Sequence, residues 1–287
     1  MTPLAYTIHG TVNSHGTSAQ PTAPAVVLLH AYPLNSSMWN NVIKHLQDDH
    51  PTMPIITIDA PGFGGSPAGP QVAEQVGGPE EPALDTYALA IEATLQTLSF
   101  PRVVMVGLSL GGYAAMAYAE KFPDRLAGIG LLNTKAEADD EPARKVRLRT
   151  ATQVLEEGAQ VLEKSIESIL GRTTRVHRPD IVEEVRQAIL EAPPQAVAWI
   201  QHAMANRPNR LPALAQLDIP ALVLRGEEDE LAPPQSARAM AAALADTPTV
   251  LGTRSVVTLP EVGHMSALEA PIMVASAIED LHSRVRA

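Results

Sequence analysis

Four short runs of almost wholly apolar residues constrain the fold more than any other feature of the sequence. They lie at residues 25–30, 54–59, 102–108 and 221–226. None of them alternates between apolar and polar residues, which is typical of strands in a parallel sheet that is covered on both faces. We therefore expect a mostly parallel sheet at the centre of the molecule. Residues 126–133 and 254–259 are candidates for two further strands.

Segments with helical spacing separate these runs, for example at residues 86–95 and 236–244. Repeated alternation of strand and helix predicts an α/β protein with a doubly wound sheet and right-handed crossovers. Residues 64–82 contain many Gly and Pro residues and no periodicity, so we expect a long loop there. The chain has 287 residues, of which 45% are hydrophobic, and it can therefore build a large core. Length alone leaves open whether this core is one domain or two.

The alternation stops near residue 134 and resumes near residue 212. Between these points, helical patterns follow one another at residues 141–156, 159–170, 179–191 and 195–205. They predict a helical insertion over residues 134–211 between two strands. Its ends should return close together, because the sheet must continue afterwards. The sheet core would then comprise residues 1–133 and 212–287, with the insertion lying over it as a cap.

The composition excludes several classes of function. The chain contains 21 Lys and Arg against 32 Asp and Glu, and the resulting net charge of −11 repels nucleic acid. It contains no Cys, which excludes disulfides, thiolate metal sites and a cysteine nucleophile. The N-terminal sequence lacks the basic and apolar regions of a secretory signal, which predicts a cytoplasmic location. No membrane span is expected, because glycines interrupt the uncharged run at residues 103–119.

The motif Gly107-Leu108-Ser109-Leu110-Gly111 follows a predicted strand and precedes a helical run. This context is that of a nucleophile elbow, a sharp strand-to-helix turn that carries a reactive serine. Gly107 and Gly111 would leave room for the strained turn. Ser109 would stand at the carboxyl end of the sheet and at a helix N-terminus, which favours developing negative charge. The alternative is a structural turn with an unreactive serine.

A serine nucleophile needs a base, and the base needs an acid to orient it. His264 lies just beyond a late predicted strand, on a loop at the same edge of the sheet; the alternative is an exposed loop histidine. Four consecutive carboxylates follow the predicted strand that ends at Gly226. We favour Asp229 as the acid, with Glu228 and Glu230 as alternatives, and the group could also be a solvated acidic loop.

Acyl transfer also requires hydrogen-bond donors for an oxyanion. The N–H of Leu110, directly after the serine, is one candidate. The second is expected from the loop after the first apolar run, where Pro33 has no N–H, so Ala31, Tyr32 and Leu34 remain. We favour Tyr32. His30, at the start of this loop, is expected to shape the loop.

Two other motifs are interpreted as structural. His45, Asp48, Asp49 and His50 lack the spacing of a metal-ligand motif, so we expect no metal there. The glycines at residues 62–65 do not form a nucleotide-binding loop, because Pro67 stands where the last glycine is needed.

The predicted insertion offers two groups of side chains with open roles. Trp199, Met204 and Leu170 either line an apolar acyl pocket or pack the insertion onto the core. Three arginines either face an acidic partner or are simply solvated, and the second reading is favoured. They are Arg172, Arg175 and Arg178.

Together these segments resemble the α/β-hydrolase superfamily, in particular its capped branch of carboxyl-ester hydrolases, enol-lactonases, carbon–carbon bond hydrolases and cofactor-free perhydrolases. The resemblance extends over the His30 loop, residues 59–66, the Ser109 turn, the Asp229 turn and the His264 loop. It implies a Ser–Asp–His catalytic triad in the chain order of this fold, with the Tyr32 and Leu110 amides as oxyanion hole. It also implies that no metal or cofactor is needed. One departure is Ala31, where relatives usually carry Gly.

The expected function is that of a serine hydrolase. It would cleave a carboxylic ester of a small, largely apolar molecule through an acyl-enzyme intermediate. Lactone opening, carbon–carbon bond hydrolysis and perhydrolysis are alternatives on the same residues. A ligand-binding receptor on this fold is the alternative from another class. The sequence leaves the oligomeric state open.

Overall fold

A computed structural model of the chain describes residues 2–10, 24–244 and 256–285. The described residues contain one sheet of seven strands. In chain order the strands are β1 (Tyr6–His9), β2 (Ala25–Leu29), β3 (Ile55–Ile58), β4 (Val103–Leu108), β5 (Leu126–Leu132), β6 (Ala221–Gly226) and β7 (Val257–Leu259). Residues 254 and 255 of the last predicted strand lie outside the described residues.

The sheet has the strand order β1-β3-β2-β4-β5-β6-β7. All neighbouring strands are parallel except β1, which pairs antiparallel with β3. Every residue of β2 to β6 is buried, as continuous apolar runs require. The predicted fold class, a mostly parallel α/β sheet, is confirmed. The sequence analysis missed β1, a four-residue edge strand whose central residues are exposed.

The helices cover both faces of this sheet. Helices α1 and α13 pack together on one side, and α3 packs on α4 on the other. No helix in the described ranges is long and apolar enough to cross a bilayer. The helices are α1 (Asn40–Asp49), α2 (Gly69–Val76), α3 (Leu84–Thr97), α4 (Leu110–Lys121), α5 (Glu141–Glu157), α6 (Ile166–Ile169), α7 (Arg172–His177), α8 (Pro179–Leu190), α9 (Pro194–Ala205), α10 (Leu211–Leu214), α11 (Pro234–Ala243), α12 (Ser266–Glu269) and α13 (Pro271–Ser283); short 3₁₀ turns occupy Ser36–Trp39, Pro123–Arg125 and Ala159–Ser165.

The prediction of a structureless loop at residues 64–82 is wrong, because α2 lies within it. Pro70 stands in the first turn of this helix, where its missing N–H costs nothing. Gly77 ends it in the left-handed conformation, with φ of +64°. Val72 and Ala73 bury one face of the helix. The residues that indicated a loop are therefore the start and stop signals of a short helix.

Helices α5 to α9 lie between β5 and β6, and the two ends of this insertion meet. The backbone N–H of Arg210 donates to the carbonyl of Ala136 over 2.9 Å. The side chain of Arg207 donates to the carbonyl of Glu137 over 3.2 Å. These two hydrogen bonds close the base of the insertion, and β5 and β6 on either side of it are neighbours in the sheet.

A buried carboxylate, Asp139, ties the base of the insertion together. It forms ion pairs with Arg207 at 2.7 Å, with Lys135 at 3.2 Å and with Arg147 of α5. Burial opposes ionisation of Asp139, but Arg207 and Arg147 outweigh it and hold the pKa of this carboxyl far below its usual range. The Arg207 guanidinium also stacks on the Tyr113 ring of α4, 4.2 Å from its centroid, and so joins the insertion to the core.

Candidate active site

The turn that carries Ser109 joins β4 to α4 and is strained. Ser109 has a positive φ of +53°, and its N–H donates to the carbonyl of Leu132 on the neighbouring strand over 2.9 Å. A Cβ atom on Gly107 would lie 2.1 Å from the carbonyl oxygen of Gly111, and one on Gly111 would lie 2.1 Å from that of Leu29. Both glycines are thus required for the close approach of three backbone segments. The turn directs Ser109 to the carboxyl edge of the sheet, at the N-terminus of α4.

Ser109, His264 and Asp229 form a continuous chain of hydrogen bonds. The Ser109 Oγ lies 2.8 Å from His264 Nε2. On the other side of the ring, His264 Nδ1 lies 2.9 Å and 3.0 Å from the two carboxylate oxygens of Asp229. An ionised carboxylate only accepts, so Nδ1 carries the proton and Nε2 is left to accept the serine proton. This arrangement can transfer the hydroxyl proton of Ser109 to the imidazole.

The Asp229 carboxylate is buried and fully hydrogen-bonded. Its Oδ1 accepts from the N–H groups of Leu231 at 2.9 Å and Ala232 at 3.1 Å. Its Oδ2 accepts from Asn133 Nδ2 at 2.9 Å. Burial raises the pKa of Asp229, but His264, Asn133 and the Ala232 amide act more strongly, so the pKa lies below its usual range. The carboxylate therefore stays ionised and holds the His264 ring in one orientation.

The loop after β2 carries the three candidates for the second backbone donor. The N–H of Ala31 donates to Met38 Sδ at 3.2 Å, and the N–H of Leu34 donates to the Ala31 carbonyl at 3.0 Å. Of the three candidates, Tyr32 is therefore the one to which the described part of the chain gives no acceptor. The N–H of Leu110 begins α4 and has no acceptor within the helix.

His30 fixes the position of this loop. Its Nε2 accepts from the N–H of Ala60 at 2.8 Å, so its Nδ1 carries the proton and donates to the carbonyl of Ala31 at 2.9 Å. Burial lowers the pKa of His30, which keeps the ring neutral as this tautomer requires. The expectation that His30 shapes the loop is confirmed by these two bonds.

Asn133 belongs to the site and was missed in the sequence. It follows β5 in the left-handed conformation, with φ of +46°. Its Nδ2 donates to Asp229 Oδ2 and, at 3.1 Å, to the carbonyl of Gly263, the residue before His264. One signal could have identified it, since it is the polar residue at the carboxyl end of a buried strand.

Arg225 was also missed. It is a buried residue of β6 whose guanidinium donates to the carbonyls of Glu227 and Asp229, both at 3.3 Å. These contacts hold the loop that carries the acid. A charged residue inside an apolar strand is the signal that could have indicated its role.

The alternative acids point away from His264. Glu228 accepts from the N–H and the hydroxyl of Thr173 in the insertion, at 2.8 Å and 2.7 Å. Glu230 is exposed. Within the described chain, Asp229 is the carboxylate that contacts His264.

The side chains of the insertion divide as follows. Trp199, Met204 and Leu170 are buried, and a Cβ atom on Gly69 of α2 would lie 2.3 Å from the Trp199 ring. Trp199 therefore packs the insertion onto the core. Arg172, Arg175 and Arg178 are exposed, as favoured from the sequence. The first two line a cavity of about 290 Å³ between the insertion and the acidic loop, together with Leu170.

The described residues bring no group of three or more His, Asp or Glu side chains into a metal-binding arrangement. His50 instead pairs with Glu279 of α13.

Comparisons with known proteins identify the family to which this fold belongs. The chain is 25% identical over 274 residues to the 3-oxoadipate enol-lactonase 2 of Acinetobacter baylyi, which covers 94% of this chain and 93% of that protein. A thermophilic esterase from Thermogutta terrifontis superposes with a TM-score of 0.82 at 31% identity, over 97% of this chain and 94% of that one. The enol-lactonase from Burkholderia xenovorans shares the fold, with a TM-score of 0.79 at 22% identity over 98% and 96% of the two chains. The profile of the alpha/beta hydrolase fold matches residues 24–271, and the chain therefore belongs to the alpha/beta hydrolase family.

Proposed function

We propose that the protein is a serine hydrolase that cleaves carboxylic esters through an acyl-enzyme, with Ser109, His264 and Asp229 as its catalytic triad. The observation that carries this proposal is the hydrogen-bonded chain from Ser109 Oγ through the His264 ring to Asp229. A buried chain of this kind, ending on a strained serine at a helix N-terminus, is what nucleophilic catalysis by serine requires.

The first half of the reaction forms the acyl-enzyme. Ser109 Oγ attacks the ester carbonyl carbon while its proton moves to His264 Nε2. The resulting imidazolium is stabilised by the ionised Asp229 on its other side. His264 then gives the proton to the alcohol oxygen, the carbon–oxygen bond breaks and the alcohol leaves. In the second half, water gives a proton to His264 and attacks the acyl carbon. His264 then returns this proton to Ser109 Oγ as the bond from Oγ to the acyl carbon breaks, which releases the acid and regenerates Ser109.

The oxyanion of both tetrahedral intermediates would bind to the N–H groups of Tyr32 and Leu110. Among the described residues neither N–H has an acceptor, which supports this role, since such a donor needs no rearrangement to bind the oxyanion. The α4 N-terminus adds its dipole to the same position.

The substrate class is an ester or lactone of a small molecule. Two relatives support it, because one is an enol-lactonase and the other an esterase, and each aligns over nearly the whole chain. We assign residues 134–211 the role of a cap over the carboxyl edge. A Cβ atom on Gly62 would lie 2.6 Å from Ala196 of α9, so this helix of the insertion packs against the loop that follows β3. A small, largely apolar substrate would suit a site covered in this way.

The test combines turnover with covalent labelling. Wild-type protein should hydrolyse short-chain p-nitrophenyl esters with a burst of product, and a fluorophosphonate should label Ser109. Ser109→Ala should lose both properties while keeping its melting temperature. If folded wild-type protein neither turns over nor labels, the fold serves a ligand-binding receptor and the proposal is wrong.

A lactone is the second candidate substrate, favoured by the enol-lactonase relative that aligns over 94% of this chain. A panel of lactones beside esters of equal carbon number separates the two. Higher kcat/KM on lactones would assign the protein as a lactonase, with the same acyl-enzyme. Activity confined to vinylogous diketones, or to acids with hydrogen peroxide, would indicate a carbon–carbon hydrolase or a perhydrolase.

A further inference from the structure

A carboxylate outside the proposed triad binds both neighbours of His264. Glu269 is the last residue of α12, five positions after the histidine. Its Oε1 accepts from the N–H of Met265 at 2.9 Å, and its Oε2 accepts from the N–H of Gly263 at 3.0 Å. The backbone on either side of His264 is therefore fixed to one side chain.

The same carboxylate also binds the insertion. Glu269 Oε2 accepts from the N–H of Gly171 at 2.9 Å and from the hydroxyl of Thr174 at 2.7 Å. Four donors from two separate parts of the chain thus converge on Glu269. Charge-assisted hydrogen bonds to a carboxylate are roughly twice as strong as neutral ones. Glu269 therefore links the insertion firmly to the loop that carries His264.

The two backbones are in direct contact at this joint. A Cβ atom on Gly171 would lie 2.7 Å from the Gly263 nitrogen, and one on Gly263 would lie 2.0 Å from the Gly171 nitrogen. Glycine is therefore required at both positions. Because the backbones of Gly171 and Gly263 are in van der Waals contact, a shift of the Gly171 turn would displace Gly263, the residue that precedes His264.

The neighbouring turn of the insertion is held by the acid loop. Glu228, directly before Asp229, accepts from the N–H and hydroxyl of Thr173. Among the described residues, the Glu228 side chain forms no hydrogen bond with the backbone on either side of His264. The side chains of Glu228 and Glu269 thus bind the same turn, but of these two carboxylates only that of Glu269 also bonds the histidine loop. Glu228 reaches that loop through its backbone N–H, which donates to the Val262 carbonyl and which Glu228→Gln leaves in place.

We propose that Glu269 is a positioning residue that sets the place of His264 and couples it to the insertion through the turn at residues 171–174. The inference rests on the proposed function, in which His264 is the base. Its physical reason is geometric: the Ser109–His264 hydrogen bond tolerates little displacement, since misplacement by about 1 Å can cost about 100-fold in rate. An interaction that fixes both residues beside the histidine controls that distance.

The experiment compares three conservative variants of similar size change. Glu269→Gln replaces an acceptor oxygen by an amide that cannot accept from every donor. Thr174→Val removes one of the two bonds from the insertion and leaves the bond from Gly171 and the two bonds that flank His264. Glu228→Gln is the matched control, because it alters a carboxylate on the same turn that does not touch the histidine loop. Each variant is measured for melting temperature, kcat, KM and rate of fluorophosphonate labelling at Ser109.

Glu269→Gln should lower kcat and the labelling rate together by roughly 10-fold to 100-fold, with KM changed by less than about 3-fold. Thr174→Val should cause a smaller loss of about 5-fold, as expected for one hydrogen bond. Glu228→Gln should label within about 2-fold of wild type. Wild-type labelling by Glu269→Gln, or equal losses in Glu269→Gln and Glu228→Gln, would overturn the proposal.

A spectroscopic readout separates this inference from the proposed function. The ¹H NMR resonance of the proton that His264 Nδ1 shares with Asp229 reports ring position without any substrate. It should shift or broaden in Glu269→Gln and stay in place in Glu228→Gln. If wild-type protein lacks hydrolase activity but this pattern holds, the proposed function fails and the positioning role stands. An unchanged resonance in Glu269→Gln contradicts the positioning role whatever the activity.

Discussion

At the scale of single residues, the geometry of the site depends on how completely the protein satisfies the hydrogen-bonding capacity of the Asp229 carboxylate. Two backbone amides, one Asn amide and the imidazole surround a carboxylate that water does not reach. Such a carboxylate stays ionised despite burial, because its hydrogen bonds replace the lost hydration. It can then orient His264 and stabilise the imidazolium without taking the proton itself.

Asp229→Asn should lower kcat by about 10⁴-fold, because an amide in this place favours the wrong tautomer of His264. The size of the side chain is unchanged, so the fold should survive, as circular dichroism can show. The measurement is the initial rate on a p-nitrophenyl ester under saturating conditions. Activity near that of wild type would move the acid role to another carboxylate and contradict the assignment of Asp229.

At the scale of secondary-structure elements, ion pairs tie the base of the insertion together, and the contact of Arg207 with the Tyr113 ring joins this base to the core. Asp139 is central to these ion pairs, since three cationic side chains converge on it. Removing one partner from a buried ion pair leaves uncompensated charge, which costs more than the pair itself contributes. The base of the insertion should therefore be sensitive to neutralisation of this one residue.

Asp139→Asn should lower the free energy of unfolding by about 3–5 kcal/mol at neutral pH. The pKa of Asp139 is lower in the folded protein than in the unfolded chain, so its contribution is complete above the unfolded pKa of about 3.9. It is lost as pH falls below that value towards the folded pKa. Urea unfolding of wild type and variant from neutral pH down to about pH 3 should show a difference that shrinks with acid. A difference independent of pH would indicate a packing effect instead.

Helix α2 shows, at the same scale, how a local sequence pattern can indicate the wrong secondary structure. Helix α2 lies in a stretch rich in Gly and Pro, yet its buried face packs under α9 of the insertion. Gly69 is needed there because the Trp199 ring occupies the space of a side chain. The reason for that glycine lies about 130 residues along the chain, which no local window detects.

At the scale of the whole molecule, the dominant feature is the net charge of −11. A field of this sign lowers the local concentration of anionic ligands and acts over about 10 Å at 0.1 M salt. It therefore disfavours the encounter with an acidic ester more than with a neutral one. The exposed Arg172 and Arg175 line a cavity of this surface, but five carboxylates line it with them, so the two arginines do not reverse the sign of the field there. These carboxylates belong to Glu167, Glu227, Glu228, Asp229 and Glu230.

The kcat/KM for an ester with a carboxylate in its acyl group should accordingly rise several-fold between low and high salt. A neutral ester of equal length serves as control and should change little. Stopped-flow or initial-rate measurements over a series of salt concentrations give both slopes. A fall in kcat/KM for the anionic ester with salt would show that the local field of the arginines governs access.

Much of this protein could be predicted from the sequence because the relevant signals are local. Continuous apolar runs identified β2, β3, β4 and β6, and the spacing of glycines around Ser109 identified its strained turn. His264 and Asp229 were candidates because each follows a strand at the edge where parallel strands end. These signals depend only on residues within a few positions of one another.

The fold class, the position of the strained turn and the residue types around it could therefore be predicted from the amino-acid sequence. The folded chain was needed to show which of four neighbouring carboxylates contacts His264, and that Asn133 and Glu269 bind the loops around it. Asn133 lies 96 residues from Asp229 and 130 from Gly263. Contacts over such separations depend on the direction of each side chain after the sheet has formed, and no periodic pattern along the chain encodes that direction.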